Sequence, residues 1–345
     1  MARNRTPMIS GWGMRPVVPG HELRSDDLEA ATKNAKLTRG LGRSYGDSSL
    51  PAPGQQEVVA TPLADRILGF DPASGVIRTE AGLSLHEMNR LFMRRGFFTP
   101  VTPGTAYVTV GGMVASDVHG KNHHVHGCFG EHVRSLKLRV ADGRIVECSR
   151  ENEPDLFRAT IGGMGLTGHI LEVEFQLEKI ASPWIEYESE RVPNIEAYLD
   201  ALKTSAKSWP MTVGWIDCVT PGKNLGRGIL QKGRWADPSI APRHPPKEKK
   251  KLAVPLMMPN WLINPLTIRA FNFAWYWKHL QKQKRGVMHP DSFFYPLDMV
   301  LHWNRIYGRR GFTQHQCVLP EKAGRDAARR FLEILTRMGG ASFLC

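Results

Sequence analysis

The chain has 345 residues, which is long for one hydrophobic core and sufficient for two domains. Its formal net charge of +13 favours an anionic partner, such as a phosphorylated ligand, an acidic membrane surface or nucleic acid. The 5 cysteines are odd in number and never spaced as C-x-x-C, which excludes a disulfide framework or a zinc ribbon as the basis of the fold. No signal peptide or membrane-spanning stretch is recognisable, so we expect a protein of the cytoplasm or of the inner-membrane surface.

The first 180 residues predict mixed helix and sheet. "SGVIRTEAGLS" (74–84) is typical of a strand and a turn, and a helix capped by Ser84 and ended by Gly96 should follow. "VRSLKLRVADGRIVECS" (133–149) predicts a β-hairpin that turns at Asp142-Gly143. A short helix within 153–163 and a strand within 168–180 complete this half.

The character of the sequence changes after Ser182. The segments predicted in this second half are a helix (194–206), a basic, proline-rich, mobile loop (236–251), an aromatic stretch (260–286), a strand (311–320) and a helix (321–340). The final "ASFLC" (341–345) begins a strand and stops, so we expect the chain to be incomplete. The sequence therefore predicts two domains, 1–180 and 181–345.

Three glycine-rich segments lie in the first domain. The first, "TRGLGRSYGDSSL" (38–50), could bring successive backbone N–H groups close to a pyrophosphate, or could be a plain glycine turn. It matches neither the Walker nor the Rossmann pattern, and no clear βαβ unit surrounds it. The third, "ATIGGMGLTGHILEVEF" (159–175), also suits close backbone approach, between a helix and a strand.

The second segment, "GGMVASDVHGKNHHVHGCFG" (111–130), holds four histidines within eight positions. A short strand at Val108–Val110 should lead into a helix opened by Gly111-Gly112, and the free N–H groups at such a helix start can hold an anion. A metal site is the rival interpretation. It lacks the glutamate of H-E-x-x-H, and Gly120 and Asn122 interrupt the helix that His119 and His123 would need. We therefore predict no metal.

In this order, "GRSYGD", "TPGTAYVTVGGMVASDVHGKNHHVHGCFGEHVRSL" and "LFRATIGGMGLTGHI" resemble the FAD-binding domain of the vanillyl-alcohol-oxidase (PCMH-type) flavoproteins. The likeness continues through residues 293–320. It implies an α+β fold, with a PCMH-type FAD-binding domain of two subdomains and an antiparallel-sheet substrate domain. It also implies that residues 38–48 wrap the pyrophosphate, that Gly104, 109–112 and 116–119 line the flavin and that Ile170 faces the adenosine.

The resemblance assigns the following positions to the cofactor: Thr38, Arg39, Gly40, Leu41, Gly42, Arg43, Ser44, Tyr45, Gly46, Asp47, Ser48, Gly104, Thr109, Val110, Gly111, Gly112, Ser116, Asp117, Val118, His119 and Ile170. Some members attach their flavin covalently through a histidine in the first glycine segment. Arg43 stands at that position here, so the resemblance implies non-covalent FAD.

Within the family, the sequence is most similar to the branch that oxidises polyprenylphosphoryl ribose on the way to the arabinose donor of cell-wall polysaccharide. The implied catalytic residues are His119, Lys121, Tyr295 and Gln316, with Tyr45 and Gln314 as further polar candidates. Tyr295, Gln314 and Gln316 are expected to share one face of their strand. The branch also carries a lysine beyond "GGASFLC" that has no counterpart in this sequence, so we expect compromised activity.

The implied partners are a polyprenyl-phosphate sugar substrate and an NAD-dependent reductase that completes the epimerisation. Two other functions remain open: oxidation of a soluble sugar or aldonolactone by FAD, and nucleic-acid binding. The second lacks any recognised motif, and we predict no nucleic-acid partner. The aromatic stretch is equally compatible with a headgroup boundary, which would give peripheral membrane contact, and with a helix buried in the core.

Overall fold

The computed structural model describes residues 7–338, and it confirms the predicted mixture of helix and sheet. The strands of the first half are β1 (Met8–Ser10), β2 (Val17–Pro19), β3 (His21–Arg24), β4 (Thr38–Arg39), β5 (Glu57–Ala60), β6 (Ile67–Asp71), β7 (Val76–Glu80), β8 (Phe97–Phe98), β9 (Val133–Arg139), β10 (Ile145–Ser149), β11 (His169–Gln176) and β12 (Glu178–Lys179). Its helices are α1 (Leu28–Ala31), α2 (Leu85–Met93), α3 (Val110–Ala115), α4 (His123–His126), a 3₁₀ turn (Phe129–His132) and α5 (Pro154–Thr160).

The two largest sheets of the first half have five and three strands, and β1-β2 and β8-β12 form two further two-stranded sheets. The five-stranded sheet is antiparallel, in the order β10-β9-β11-β7-β6, and the three-stranded sheet is parallel, in the order β3-β5-β4. The apolar faces of β7, β9 and β11 meet α2 and α3 in one core, whose centre holds fully buried Met88, Met113, Phe129 and Phe175. This burial fixes the position of α3 beside the sheets.

The strands of the second half are β13 (Ile185–Val192), β14 (Met211–Ile216), β15 (Gly228–Trp235), β16 (Leu252–Ala253), β17 (Gln283–Met288) and β18 (Val300–Leu301). Its helices are α6 (Ile195–Ser205), α7 (Pro265–Lys278), α8 (Pro290–Phe294) and α9 (Gly324–Arg337), with 3₁₀ turns at Gly222–Asn224, Pro296–Met299, Trp303–Arg310 and Glu321–Ala323. An antiparallel sheet in the order β14-β15-β13-β17 forms its centre. No helix within residues 7–338 has the length and apolar content needed to cross a membrane.

Several local predictions are confirmed. Ser84 caps α2, since its hydroxyl accepts a hydrogen bond of 3.2 Å from the Glu87 amide. Strands β9 and β10 form the predicted hairpin, in which Gly143 takes a φ of 89° that favours glycine. The helix predicted over 194–206 is α6, and Asn194 caps it in the same manner as Ser84 caps α2.

Two strand predictions are wrong. Val108–Val110 is not a strand, because Thr109 makes only an isolated bridge to Ser84 and Val110 already begins α3. The segment 311–320 is irregular: Phe312 donates to Gly13 O at 3.0 Å, and its ring packs on Tyr307 instead of in a sheet. The predicted strand at 341–345 lies outside the described residues.

Candidate functional site

A cavity of about 470 Å³ opens beside α3. Its walls come mainly from four parts of the chain that are distant in sequence: the first glycine segment, the loop and helix within 103–119, the third glycine segment within 164–170, and residues between 297 and 316. The first half of the chain thus supplies most of the wall, and residues between 297 and 316 supply the rest. Such a concave site at the junction of two units is typical of a cofactor pocket.

The first glycine segment presents unpaired backbone donors to this cavity. Strand β4 ends at Arg39, and within residues 7–338 the N–H groups of 40–45, which line the cavity, donate to no protein acceptor. Gly42 turns the chain with a φ of 65° directly above the Arg39 guanidinium. Since buried or enclosed N–H groups are normally paired, this run of free donors indicates an anionic ligand.

The start of α3 does not behave as predicted. The amides of Val110 and Gly111 donate to Leu83 O and Ala81 O at 2.9 and 2.8 Å, and the Gly112 amide donates to the Thr109 hydroxyl at 3.2 Å. These groups are therefore used in docking the helix, and the prediction that they are free to hold an anion is wrong. Gly111 is needed for that close packing, because a Cβ there would lie 2.8 Å from the Cβ of Ala81.

A buried carboxylate fixes the loop before α3. Asp298 accepts hydrogen bonds of 2.7 Å from the Thr105 hydroxyl and from the Ala106 amide. Burial raises the pKa of Asp298, while the guanidinium of Arg43 acts in the opposite direction. The acid thus joins the second half of the chain to the loop that brings Gly104 to the cavity wall. Sequence reasoning missed Asp298, and a single acid between apolar residues in "YPLDMV" was the only signal.

Arg43 is held between aromatic rings. Its guanidinium carbon lies 3.9 Å from the ring centroid of Trp12 and 5.1 Å from that of Tyr107. Burial lowers the pKa of Arg43, and Asp298 partly offsets this effect. Its Nε is buried without a hydrogen-bond partner among the described residues, which leaves a polar atom for a ligand in the cavity. Trp12 was also missed, although its flanking glycines in "GWG" were a signal of close approach.

The histidines do not act as one cluster. His119 is exposed on the cavity wall, whereas His124 Nε2 lies 3.0 Å from Trp209 O and His132 Nε2 lies 3.0 Å from His126 O. Within residues 7–338 no group of three or more His, Cys, Asp or Glu side chains is arranged to hold a metal ion. Among the described residues, His119 is the histidine on the cavity wall, and its ring lies edge-on to that of His123 with the two ring centroids 6.0 Å apart.

Lys121 and Tyr295 lie behind the cavity wall. The Lys121 ammonium donates to Phe294 O at 2.9 Å, and burial lowers the pKa of Lys121 to about 8. The Tyr295 hydroxyl bonds Thr102 and accepts from Asn89 Nδ2 at 2.9 Å, and burial raises the pKa of Tyr295 far above its ordinary value. Both side chains are thus engaged within the protein. The expected shared face of Tyr295 with Gln314 and Gln316 is also absent, because Tyr295 follows α8 and the glutamines lie in an irregular segment.

Gln314 and Gln316 do reach the cavity, through exposed positions on the irregular segment. The predicted cofactor positions on its wall are Thr38, Arg39, Gly40, Leu41, Gly42, Arg43, Ser44, Tyr45, Ser48, Gly104, Thr109, Gly111, Gly112, Ser116, Val118, His119 and Ile170. Further wall residues that the sequence analysis did not assign include Trp12, Thr61, Thr105, Met164, Leu297 and Trp303.

Four predicted cofactor positions lie off the wall. Val110 is buried in the core, and Gly46 and Asp47 are exposed beyond the rim. Asp117 adopts a φ of 39° and its Oδ1 accepts from the Gly130 amide at 2.8 Å. Its carboxylate therefore stabilises the turn after α3 and does not face the cavity.

The chain is similar in sequence to known FAD-binding proteins. The family described as "FAD binding domain" matches residues 26–149. The decaprenylphosphoryl-β-D-ribose oxidase of Mycolicibacterium smegmatis is 32% identical over 98% of this chain and 77% of its own length. An uncharacterised Streptomyces coelicolor protein is 33% identical over 54% of this chain and 51% of its own length. A putative D-arabinono-1,4-lactone oxidase of Neurospora crassa is 31% identical over 32% of this chain and 20% of its own length.

The residues present fit FAD. The free N–H groups of 40–45 suit a pyrophosphate, the partnerless Arg43 Nε suits a polar atom of the ligand, and the glycines at 104 and 112 leave room for a flat ring against the backbone. The matched range includes both the first glycine segment and α3. The chain thus has the means to bind this cofactor in the cavity.

Proposed function

The chain belongs to the family of FAD-dependent oxidases that includes decaprenylphosphoryl-β-D-ribose oxidase, and we propose that it oxidises the 2-hydroxyl of the ribose in a polyprenylphosphoryl-β-D-ribose. The product is the 2-keto sugar. Its reduction by an NAD-dependent reductase would complete the epimerisation to an arabinose donor. The ketone made here is thus the substrate of that second enzyme.

The observation that carries the proposal is the composition of the cavity wall. His119, Gln314 and Gln316 lie on the same wall as the glycine segment with its free N–H groups, so polar side chains and the cofactor cradle face one space. Two amides supply donors and acceptors for the hydroxyl groups of a sugar. The similarity to the ribose oxidase covers both halves of the chain, which is why we prefer its substrate class.

Alcohol oxidation needs a hydride acceptor and a group that takes the hydroxyl proton. FAD accepts the hydride when it is bound. In this chain His119 is the group on the wall that can take the proton. Lys121, whose pKa is lowered to about 8, holds positive charge behind the wall at neutral pH and favours an anionic substrate. Gln314 and Gln316 orient the sugar.

A soluble aldonolactone is the second candidate substrate. The specific observation in its favour is the 31% identity to the N. crassa protein, but that similarity extends over only 32% of this chain. A lactone oxidase would need no lipid phosphate. The two candidates therefore differ in the part of the substrate that lies away from the reacting carbon.

The test is oxidation of three substrates by the FAD-loaded chain with a dye as electron acceptor: a polyprenylphosphoryl-β-D-ribose, its dephosphorylated analogue and D-arabinono-1,4-lactone. We expect turnover of the phosphorylated lipid sugar with formation of its 2-keto product, and much weaker turnover of the others. Preferred oxidation of the lactone would assign the chain to the second candidate and contradict the proposal.

A further inference from the structure

Helix α7 and its flanks carry large apolar side chains on the protein surface. Seven of them are between 37% and 85% exposed: Trp261, Leu266, Phe271, Phe273, Trp275, Trp277 and Leu280. We call residues 261–280 the aromatic surface. Single exposed apolar residues are ordinary, but a concentration of this kind in one element marks an interaction site.

The exposure is not the result of loose attachment. Helix α7 contacts the protein along a narrow seam of Ile268, Asn272 and Tyr276, spaced four residues apart. In this seam Asn272 Nδ2 donates to Asp217 Oδ1 at 2.9 Å, and the Tyr276 hydroxyl donates to Val192 O at 3.3 Å. The helix is therefore fixed by buried polar bonds, while its other faces point outward. A helix that is apolar almost all round is normally covered by protein or lipid.

The sequence in and around the aromatic surface contains basic residues but no acidic ones. From Lys249 to Pro290 the chain contains no Asp or Glu, and its basic residues there are Lys249, Lys250, Lys251, Arg269, Lys278, Lys282, Lys284 and Arg285. Lys278 Nζ lies 5.2 Å from the ring centroid of Trp275, so cation and aromatic ring share one patch. Tryptophan beside lysine is the pairing found where proteins meet the headgroup layer of a bilayer.

We propose that the aromatic surface docks on a lipid bilayer that carries anionic headgroups. Apolar side chains would enter the headgroup boundary while Lys278, Lys282 and Lys284 face the phosphates. A second copy of the chain is a poorer occupant, because it would bring the same positive charge against this patch. The proposal concerns an interaction surface and does not depend on which alcohol the site oxidises.

The segment that precedes the aromatic surface in the chain contacts residues beside the cavity. The Lys251 ammonium donates to the Tyr107 hydroxyl at 2.6 Å, and Tyr107 lies against Arg43 on the cavity wall. Strand β16, which follows Lys251, pairs with β18 just after Asp298. Docking would thus hold the cavity at a defined place relative to the bilayer. A lipid-linked substrate would be present in that bilayer.

Cosedimentation of the FAD-loaded chain with vesicles tests the proposal. The vesicles contain phosphatidylcholine with or without about one third phosphatidylglycerol. We expect binding to the anionic vesicles, weakening with added salt. The triple substitution Trp261→Ser, Leu266→Ser and Leu280→Ser should reduce the partition coefficient by at least about tenfold. Leu68→Ser is the apolar control, since Leu68 on β6 is 45% exposed in the first half of the chain and lies off the cavity wall.

Two double variants that remove the same charge measure the electrostatic contribution to vesicle binding. Lys282→Gln with Lys284→Gln should weaken binding by about fivefold per lysine, whereas Lys33→Gln with Lys36→Gln, exposed near α1, should have little effect. Circular dichroism and retained FAD confirm that each variant is folded. Absence of wild-type binding, or equal binding by the triple variant, would overturn the proposal. So would a stable dimer that does not bind vesicles and that the triple substitution dissociates.

Discussion

The ammonium of Lys121 donates a hydrogen bond of 2.9 Å to the main-chain oxygen of Phe294. The residue lies between α3 and α4 in the first half, and Phe294 ends α8 in the second. The main chain adds a second link, since Lys121 O accepts from the Thr212 amide at 2.8 Å at the edge of β14. Lys121 therefore joins the two halves next to the cavity, behind the wall that His119 lines.

This burial predicts a pH dependence of stability. Burial lowers the pKa of Lys121 to about 8, below its ordinary 10.5, so the unfolded chain binds the proton more tightly. The contribution of Lys121 to the free energy of unfolding should rise as the pH increases from about 8 to about 10.5, by up to about 3 kcal/mol. Urea unfolding across this range measures it. Lys121→Met should remove the increment and exposed Lys33→Met should keep it; identical pH profiles for wild type and Lys121→Met would contradict the burial.

Tyr295→Phe separates a structural role from a catalytic one. The hydroxyl bonds Thr102 and Asn89 inside the protein, so its loss should lower the free energy of unfolding by about 1–2 kcal/mol. Flavin reduction by substrate should stay close to the wild-type rate, because the side chain is behind the wall. Unchanged stability with abolished reduction would instead place the hydroxyl in the reaction.

Two glycines of the first segment form a matched pair. A Cβ on Gly40 would lie 2.4 Å from the Thr109 hydroxyl, whereas a Cβ on Gly46 would meet nothing within 4 Å. Gly40→Ala should therefore displace the wall from α3 and weaken FAD binding by about tenfold, while Gly46→Ala should bind normally. Fluorescence quenching on FAD titration measures both constants. Equal affinities of the two variants would show that the wall does not depend on this contact.

The histidines give a second matched pair. His119→Ala should slow flavin reduction strongly, because His119 is exposed on the cavity wall. His124→Ala should leave the rate nearly unchanged, since that ring lies 3.0 Å from Trp209 O outside the cavity. Stopped-flow reduction under anaerobic conditions measures both rates, and circular dichroism checks folding. Similar small effects would mean that the imidazole on the wall is not the proton acceptor.

Local patterns in the sequence predicted much of the first half. Ser84 identifies the start of α2, and Asp142-Gly143 identifies a hairpin, because each depends on a few neighbouring residues. Most cofactor positions carried over from the family resemblance also lie on the cavity wall. Caps and hairpins depend on residues that are close in sequence. The cofactor positions belong to motifs that are continuous in the sequence and can therefore be identified without the structure.

Features that depend on distant contacts were not predictable in this way. The amides at the start of α3 are used because Ala81 and Leu83 dock against it, and no pattern within 108–117 reveals that partner. The segment 311–320 alternates as a strand would, but Phe312 packs against Tyr307 and bonds Gly13. Asp298 fixes the loop before α3 because folding brings it against Thr105, which is far from it in sequence.

Anaerobic reduction of the bound flavin tests the central claim most directly. The chain is purified with FAD, oxygen is removed, and a polyprenylphosphoryl-β-D-ribose is added while the visible absorbance of the flavin is followed. We predict bleaching that reaches one equivalent of substrate per flavin, with the 2-keto sugar recovered. A bound flavin that stays oxidised with this sugar and bleaches with D-arabinono-1,4-lactone would contradict the account.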